Sequence, residues 1–351
     1  MALPGASLLR MPSQPEGTWS SDGEHPGRSN GAAVDTSAAD CAAASQRRSA
    51  TIGGYEYQVP QAVVLPLHAG AMEAMTARLL ISDLDGTLLD RRLTLDPRDV
   101  EAAHRAQSVG VPLGIATGRM YRSALPYAQE LQTRLPLICY QGALIQELPG
   151  GDGPGPVLRR QEVDSEVSLP VLELARQRGW AVNVYQGDQL LVDAITPDVE
   201  FYTSIAQIPA TVAKDPPLEV RLLEGTTKLT VVVADRAKFP QVMAEVAAVA
   251  GEGAEVTSSI VGFCEITAKG VDKGEAVLFL CHHLGLDPGD VVALGDAPND
   301  LPMLRAVGHP VAVQGSAPEV LELAEWVTGG PGDGGLASVV SHYQLDRAEQ
   351  G

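Results

Sequence analysis

The sequence predicts an α/β fold: a doubly wound parallel sheet with a second, α+β unit inserted into it. Three observations lead there. Short apolar stretches alternate with helix-patterned ones, the rhythm of a parallel sheet with helices on both faces. Several of those stretches end in acids or in Thr-Gly, and open parallel sheets bind ligands at the carboxyl ends of their strands. The alternation stops at a Pro- and Gly-rich run near residue 150 and resumes after about residue 262.

The chain has 351 residues, 45% of them hydrophobic and only 4% aromatic, so its cores rest on Leu, Val, Ile and Ala. That length allows one large or two medium domains. Of the first 50 residues, 27 are Ala, Ser, Gly or Pro, and no helical or strand period runs through them. Such a stretch cannot bury enough apolar surface to offset its ordering entropy. Residues 1–74 are therefore expected to be a disordered extension. The same stretch is a candidate start-site artefact, because Met72 and Met75 lie just before the first predicted strand.

That strand is Leu79-Leu80-Ile81-Ser82, ending in Asp83-Leu84-Asp85-Gly86-Thr87. Asp96 is a good N-cap with Pro97 behind it, and Val100, Ala103 and Ala106 recur at helical spacing before Gly110. A second strand over 111–116 ends in Thr117-Gly118-Arg119. A helix with Tyr121, Ala124, Leu125, Ala128 and Leu131 on one face follows. A third strand over 135–140 ends in Gln141-Gly142-Ala143. The breaker run Leu148–Pro156 marks a boundary. Residues 148–261 read as the insert, with helices near 170–178 and 240–250, a hairpin over 181–192 and a strand over 229–233. The first sheet is expected to occupy 75–147 and 262–351. After the insert, Lys273-Gly274-Glu275 opens a helix closed by Gly285. A strand over 290–294 ends in Gly295-Asp296, and Asn299, Asp300 and Pro302 open the next helix. Two short strands, 311–313 and 326–328, and a helix over 336–344 complete the sequence.

The formal charge of −19 argues against nucleic acid and anionic membranes as partners. No apolar run reaches the roughly 18 residues a membrane span needs. Cys41, Cys139, Cys264 and Cys281 form no C-x-x-C pair, and the N-terminus shows no basic region followed by an apolar core. Reduced thiols and a cytoplasmic location are expected. Oligomeric state is not readable.

An interior strand does not end in two acids for packing reasons, since buried carboxylates must be paired or hold a metal. Asp83 and Asp85, Thr117, Lys273, and Asp296 with Asp300 form an ordered set suited to phosphoryl transfer, which needs a nucleophile, charge neutralisation and an acid for the leaving group. Asp83 can supply a carboxylate nucleophile, and Asp85 can protonate the departing oxygen and then activate water. Mg²⁺ takes oxygen ligands and keeps several waters, so Asp83 and Asp296 suffice, with Asp300 a ligand or a supporting partner. Thr117 offers a hydroxyl and a backbone N–H to phosphate. Lys273 offers a compact positive charge, although a cation at a helix start opposes the helix dipole. Each signal alone has a plainer explanation, such as a solvated turn, a local hydroxyl bond or an N-cap. Their order on the expected strand ends gives them weight. His282-His283 is not a metal pair, because adjacent helical residues face apart. Arg119 is left open between substrate contact and solvation. Tyr185, Asp188, Tyr202 and Lys228 are candidates to line the site from the insert.

The sequence resembles the haloacid dehalogenase superfamily of phosphatases, in its Cof-type branch. Asp83–Leu89 is similar to the family's first motif, Ala116–Arg119 to the second, Gly270–Gly274 to the third and Gly295–Leu304 to the fourth. The likeness covers about residues 77–345. It implies a Rossmann-like core with a large α/β cap between the second and third motifs. By the resemblance, Asp83 is the nucleophile and Asp85 the general acid/base. Mg²⁺ is held by Asp83, the backbone carbonyl of Asp85 and Asp296, with Asp300 assisting. Thr117, Gly118, Lys273 and Asn299 bind phosphate. Two positions depart from the family pattern: Gln141 stands where Asn is usual, and Val313–Glu319 replaces a more usual Met-Gly-Asn-Ala. The expected activity is Mg²⁺-dependent hydrolysis of a small phosphorylated metabolite, a sugar phosphate or phosphorylated cofactor. The alternatives are a phosphomutase or phosphotransferase using the same aspartyl phosphate, and a metabolite-binding protein without catalysis.

Overall fold

A computed structural model describes residues 49–52, 55–58, 77–151 and 153–347. The chain divides into two units, Met1–Gly70 and Ala71–Gly351. In the first, β1 (Ser49–Ile52) and β2 (Tyr55–Gln58) pair antiparallel, with Ser49 opposite Gln58. Thr51, Ile52, Tyr55 and Tyr57 are strand-favouring residue types. The rest of residues 1–74, Met72 included, and Met75 lie outside the described residues.

The second unit opens with β3 (Leu79–Ser82), α1 (Pro97–Ser108), β4 (Leu113–Ile115), α2 (Tyr121–Glu130) and β5 (Leu137–Cys139). Asp96 caps α1 by accepting from the Arg98 N–H, and Pro97 supplies a fixed φ at its first position. β6 (Leu144–Gln146) and β7 (Val157–Arg160) follow, paired antiparallel across the Gly- and Pro-rich run and joined to β5. After α3 (Ser165–Arg178) come β8 (Ala181–Gln186), β9 (Gln189–Val192), α4 (Pro197–Ala206), β10 (Ala210–Val212), α5 (Leu218–Leu222) and β11 (Lys228–Val232). Then follow α6 (Phe239–Ala250), β12 (Ala254–Thr257) and β13 (Phe263–Ala268). The chain ends with α7 (Lys273–Leu284), β14 (Val291–Gly295), α8 (Leu301–Ala306), β15 (His309–Val313), α9 (Pro318–Leu323), β16 (Trp326–Thr328) and α10 (Gly335–His342).

The first sheet is parallel, in the order β16-β15-β14-β3-β4. A further parallel bridge, Ala116 to Ile138, carries it on to β5. From the centre, β3, β4 and β5 step outward in one direction, and β14, β15 and β16 in the other. The winding therefore reverses between β3 and β14, the place where such sheets open a crevice. Successive strand residues face opposite sides. Leu80 joins one core with Ala103 of α1 and Val339 of α10, whereas Leu79 and Ile81 join another with Val277 of α7 and Met303 of α8.

The second sheet has the order β10-β9-β8-β11-β13-β12. The sequence reading ended the insert at residue 261, but β13 pairs with β11 and β12 inside this sheet, and β7 pairs on the other side of the breaker run with β6. A strand's partner is set by non-local contacts that local pattern does not carry. One face of this sheet packs Val182, Leu229, Val231 and Ile266 under α3 and α6. The opposite face carries Tyr185, Lys228, Thr230, Phe263 and Glu265, because these alternate with the first set. An all-buried strand with a charged residue on one face needs a partner for that charge. That face closes over the crevice.

Candidate active site

β3 and β14 lie side by side, and the segments that follow them bring four acids together. Asp83 follows β3, with its N–H donating to the Leu294 carbonyl at 3.0 Å. Lys273, the first residue of α7, lies with its Nζ 2.6 Å from Asp83 Oδ1 and 2.6 Å from Asp300 Oδ1. The lysine is fully buried. Its disfavoured place at a helix start is explained by this pair of carboxylates, whose attraction outweighs the dipole. Asp300 uses its other oxygen to accept from the N–H groups of Asp296 and Ala297, at 2.9 and 3.1 Å. It thereby holds the loop that carries Asp296. Thr87 donates to Asp296 Oδ1 at 2.9 Å.

Asp83, Asp296 and Asp300 each offer an oxygen within 4.8 Å of the others. Three clustered carboxylates are the donor set a hard divalent cation takes, so the residues fit such an ion. The electrostatics agree. Burial, with Asp300 and Asp296 nearby, pushes the Asp83 carboxyl well above its usual range even against the pull of Lys273. Burial and Asp300 push Asp296 up to about 6. Burial alone would lower Lys273, but Asp300 and Asp83 hold it above its ordinary value.

Asp85 stands apart from that set. Arg119 forks onto it, Nε to Oδ2 at 2.7 Å and Nη2 to Oδ1 at 2.6 Å. Arg119 is buried, not solvated, and the residue it contacts is an acid of the site itself. Its Nη1 also reaches Ser123 Oγ at 3.1 Å, and Ser123 donates to the Ala206 carbonyl of α4 at 2.7 Å. The turn after β4 differs in one detail from the sequence reading. The Thr117 N–H donates to the Ile138 carbonyl at 2.9 Å, which leaves its hydroxyl rather than its backbone for a ligand.

The second sheet adds residues that sequence reasoning passed over. Glu265 is buried, with Oε1 2.5 Å from Lys228 Nζ. Its Oε2 accepts from Gln141 Nε2 at 2.8 Å and from Ser259 Oγ at 2.9 Å. Gln141 Oε1 in turn accepts from Asn299 Nδ2 at 3.1 Å. The extra methylene of Gln141, relative to Asn, thus spans from the Asn299 loop to the second sheet. Burial would lower Lys228 and raise Glu265; their attraction outweighs it, so Lys228 is held above its ordinary value and Glu265 below. Sequence shows only that Lys228 and Glu265 are single charges in two mostly apolar strands; their pairing comes from the sheet register. Thr230 sits across from Glu265, and Lys228, two residues from Thr230, shares its face.

Of the candidates from the insert, Lys228 and Tyr202 line the cavity with Asp83, Asp85 and Asn299. Tyr185 lies behind them, its ring 4.9 Å from Lys228 Nζ. Asp188 is elsewhere, in a 3.2 Å pair with Arg122. His283 stacks on Phe279. Ser316 of the unusual 313–319 segment donates to the Val313 carbonyl at 2.6 Å, and the Ala317 N–H bonds the Asp296 carbonyl at 2.8 Å, so this loop braces Asp296. Cys139, Cys264 and Cys281 are free and buried; Cys41 lies outside the described residues. Among the described residues no helix is long and apolar enough to cross a membrane.

Known proteins share this architecture. A haloacid dehalogenase-like hydrolase from Bacteroides thetaiotaomicron superposes with a TM-score of 0.68 at 24% identity, over 76% of this chain and 98% of that one, a likeness of fold. A phosphoglycolate phosphatase of Methanopyrus kandleri is 28% identical over 263 residues, 74% of this chain and 94% of its own. An HMP-PP phosphatase of Yersinia pestis is 27% identical over 245 residues, 69% and 86% of the two chains. The family model for haloacid dehalogenase-like hydrolases matches residues 80–340, the span that holds all four acids and Lys273, and the chain belongs to that family.

Proposed function

We propose that the protein is a Mg²⁺-dependent phosphomonoester hydrolase that acts on a small phosphorylated metabolite through an aspartyl-phosphate intermediate. The observation that carries this reading is the buried cluster at the crevice: Lys273 bonded to both Asp83 and Asp300, with Asp296 within reach of the same ion. The phosphatase activities named for the two relatives support it. Asp83, Asp296 and Asp300, with the Asp85 backbone carbonyl that the family resemblance implies, would hold Mg²⁺. When bound, the ion supplies positive charge against the phosphate oxygens.

The chain's own residues do the rest. A carboxylate oxygen of Asp83 attacks phosphorus, and the bond to the ester oxygen breaks as the new P–O bond forms. Asp85 gives its proton to the departing alcohol. It then takes a proton from the water that opens the acyl phosphate, which frees phosphate and restores Asp83. For that exchange Asp85 leaves the Arg119 fork. Lys273 pulls the Asp83 carboxyl toward its ionised form against burial and the neighbouring acids, and offers charge to the phosphate. The Thr117 hydroxyl, the Gly118 N–H and Asn299 are assigned to the phosphate oxygens. The insert, extended by β13, is assigned the role of a cap that sets specificity, since the motif residues touch only phosphate and metal.

The test is phosphate release from a panel of phosphorylated metabolites. Asp83→Asn is expected to abolish turnover, and EDTA to do so reversibly. Retained activity in Asp83→Asn would overturn the covalent route. Release of inorganic phosphate with no second acceptor present separates hydrolysis from transfer to a sugar.

A further inference from the structure

Resting on the hydrolase reading above, in which Asn299 donates to phosphate, we propose that Glu265 and Gln141 are positioning residues. They form a polar relay from the second sheet that fixes which end of the Asn299 amide meets the phosphate. The relay follows from what each group can give or take. Lys228 Nζ, 2.5 Å from Glu265 Oε1, can only donate. Burial opposes the charge of Glu265, but Lys228 holds its carboxyl below the ordinary value, so it is ionised and only accepts. Gln141 must therefore turn Nε2 toward Glu265 Oε2, at 2.8 Å, which leaves its Oε1 for the other side. That oxygen accepts, so Asn299 must offer Nδ2, at 3.1 Å. An amide nitrogen carries two hydrogens. One goes to Gln141, and the other is left for a phosphate oxygen at the cavity that Asn299 lines with Asp83. Turned over, the same amide would set its carbonyl against a dianion.

Two independent features support the relay. Asn299 Oδ1 is buried and has no hydrogen-bond partner among the described residues, so nothing at its other end holds the amide; its orientation rests on Gln141. Gln141 itself is buried and held at φ +62°, in the left-handed region that residues other than glycine seldom occupy. Such backbone persists only where the surroundings impose it, and it is concentrated at functional sites. Here it aims the side chain between Asn299 and Glu265. A methyl group on Gly118 would sit 2.4 Å from Gln141 Nε2, so the bare backbone there leaves the amide its room. The charge pair also grips that backbone directly, since Lys228 donates to the Gly118 carbonyl at 2.8 Å. One buried ion pair in the second sheet thus orders both Gly118 and Asn299, two of the groups assigned to phosphate.

The experiment measures the inhibition constant of inorganic phosphate against p-nitrophenyl phosphate hydrolysis, with the full chain at saturating Mg²⁺. Glu265→Gln keeps the side chain's shape but sets an amide N–H₂ opposite Gln141. Every donor along the relay then reverses, and Asn299 presents its carbonyl; phosphate should bind about tenfold or more weakly. Gln141→Glu alone sets a second carboxylate against Glu265 and should lose as much. Combining the two transposes the charge: the new amide donates to the new carboxylate, which accepts from Asn299 as Gln141 did. The double variant should recover most of the phosphate affinity, whereas a role confined to holding the second sheet in place predicts losses that add. Arg122→Ala, which removes the exposed pair with Asp188 but leaves the relay whole, should not change the constant. Where a charge variant fails to fold, Gln141→Met breaks the relay with the Lys228–Glu265 pair intact. It should cost about tenfold in the wild-type background and nothing further in Asn299→Ala. Additive losses in these cycles, or unchanged phosphate binding in the single variants, would overturn the relay alone. A wild-type protein that releases no phosphate from any ester sinks the hydrolase reading beneath it.

Discussion

A methyl group on Gly86 would sit 2.4 Å from Asp296 Oδ2, and the residue holds φ at +88°. Both facts explain why a glycine follows the two acids: the backbone after β3 must turn through the left-handed region and pass close to the acid that follows β14. Gly86→Ala should therefore displace Asp296 and cost metal affinity. Wild type is expected to gain about 2–3 kcal/mol from Mg²⁺ at roughly a hundred times its Kd, and Gly86→Ala to lose most of that gain. Thermal melting with and without Mg²⁺ checks it; an equal shift in both proteins would refute the argument. At this scale, the clustering of Asp83, Lys273, Asp296 and Asp300 was legible in the sequence because each sits where a strand or helix meets a loop, with an unusual residue type for its place. Glu265 and the Arg119–Asp85 fork were not. Glu265 is one acid in the strand Phe263–Ala268, and only pairing with β11 brings it to Lys228. Arg119 stayed open between substrate contact and solvation, because nothing in its neighbours in sequence shows that Asp85 lies within reach.

Asp99 on α1 is buried, and its Oδ1 accepts from the Ala337 N–H in the first turn of α10 at 2.8 Å. Burial raises its carboxyl from 3.8 to about 6, and the helix N–H only partly opposes this. A raised acid binds its proton more tightly in the folded state than in the unfolded one, so stability falls as pH rises between about 4 and 6 and stays lower above that. Two pK units correspond to about 2–3 kcal/mol. Asp99→Asn keeps the acceptor and removes the charge. The variant should match wild type near pH 4 and exceed it by about 2 kcal/mol at pH 7 and above. Urea unfolding across pH measures the difference, and a variant no more stable than wild type at pH 7 would contradict it. The parallel strands and their helices were legible from apolar runs and from caps such as Asp96-Pro97. The β6–β7 hairpin and the placement of β13 were not. A run rich in Gly and Pro reads equally as a domain boundary or as a hairpin loop, and only the ladder from Leu144 to Arg160 decides.

Over the whole molecule, the charge of −19 sets the terms on which any phosphate ester arrives. The described cations that line the cavity are paired, so they do little to offset a long-range field that repels a dianion. At 10 mM salt the Debye length is about 30 Å, wide enough for charges across the protein to act on an approaching substrate; at 150 mM it is about 8 Å and most are screened. Attraction to Lys273, and to a divalent cation held by the acid cluster, would operate at contact and survive this screening far better. The fields thus separate by range: repulsion is long and screened, attraction short and kept. At saturating Mg²⁺, kcat/KM for a phosphate monoester should rise about two- to fivefold between 10 and 150 mM NaCl, with kcat nearly constant because the bound substrate has already crossed the repulsive field. Steady-state kinetics over that salt range is the measurement. A fall in kcat/KM with salt would mean that an unpaired positive patch steers the substrate, which is incompatible with the paired cations at this cavity.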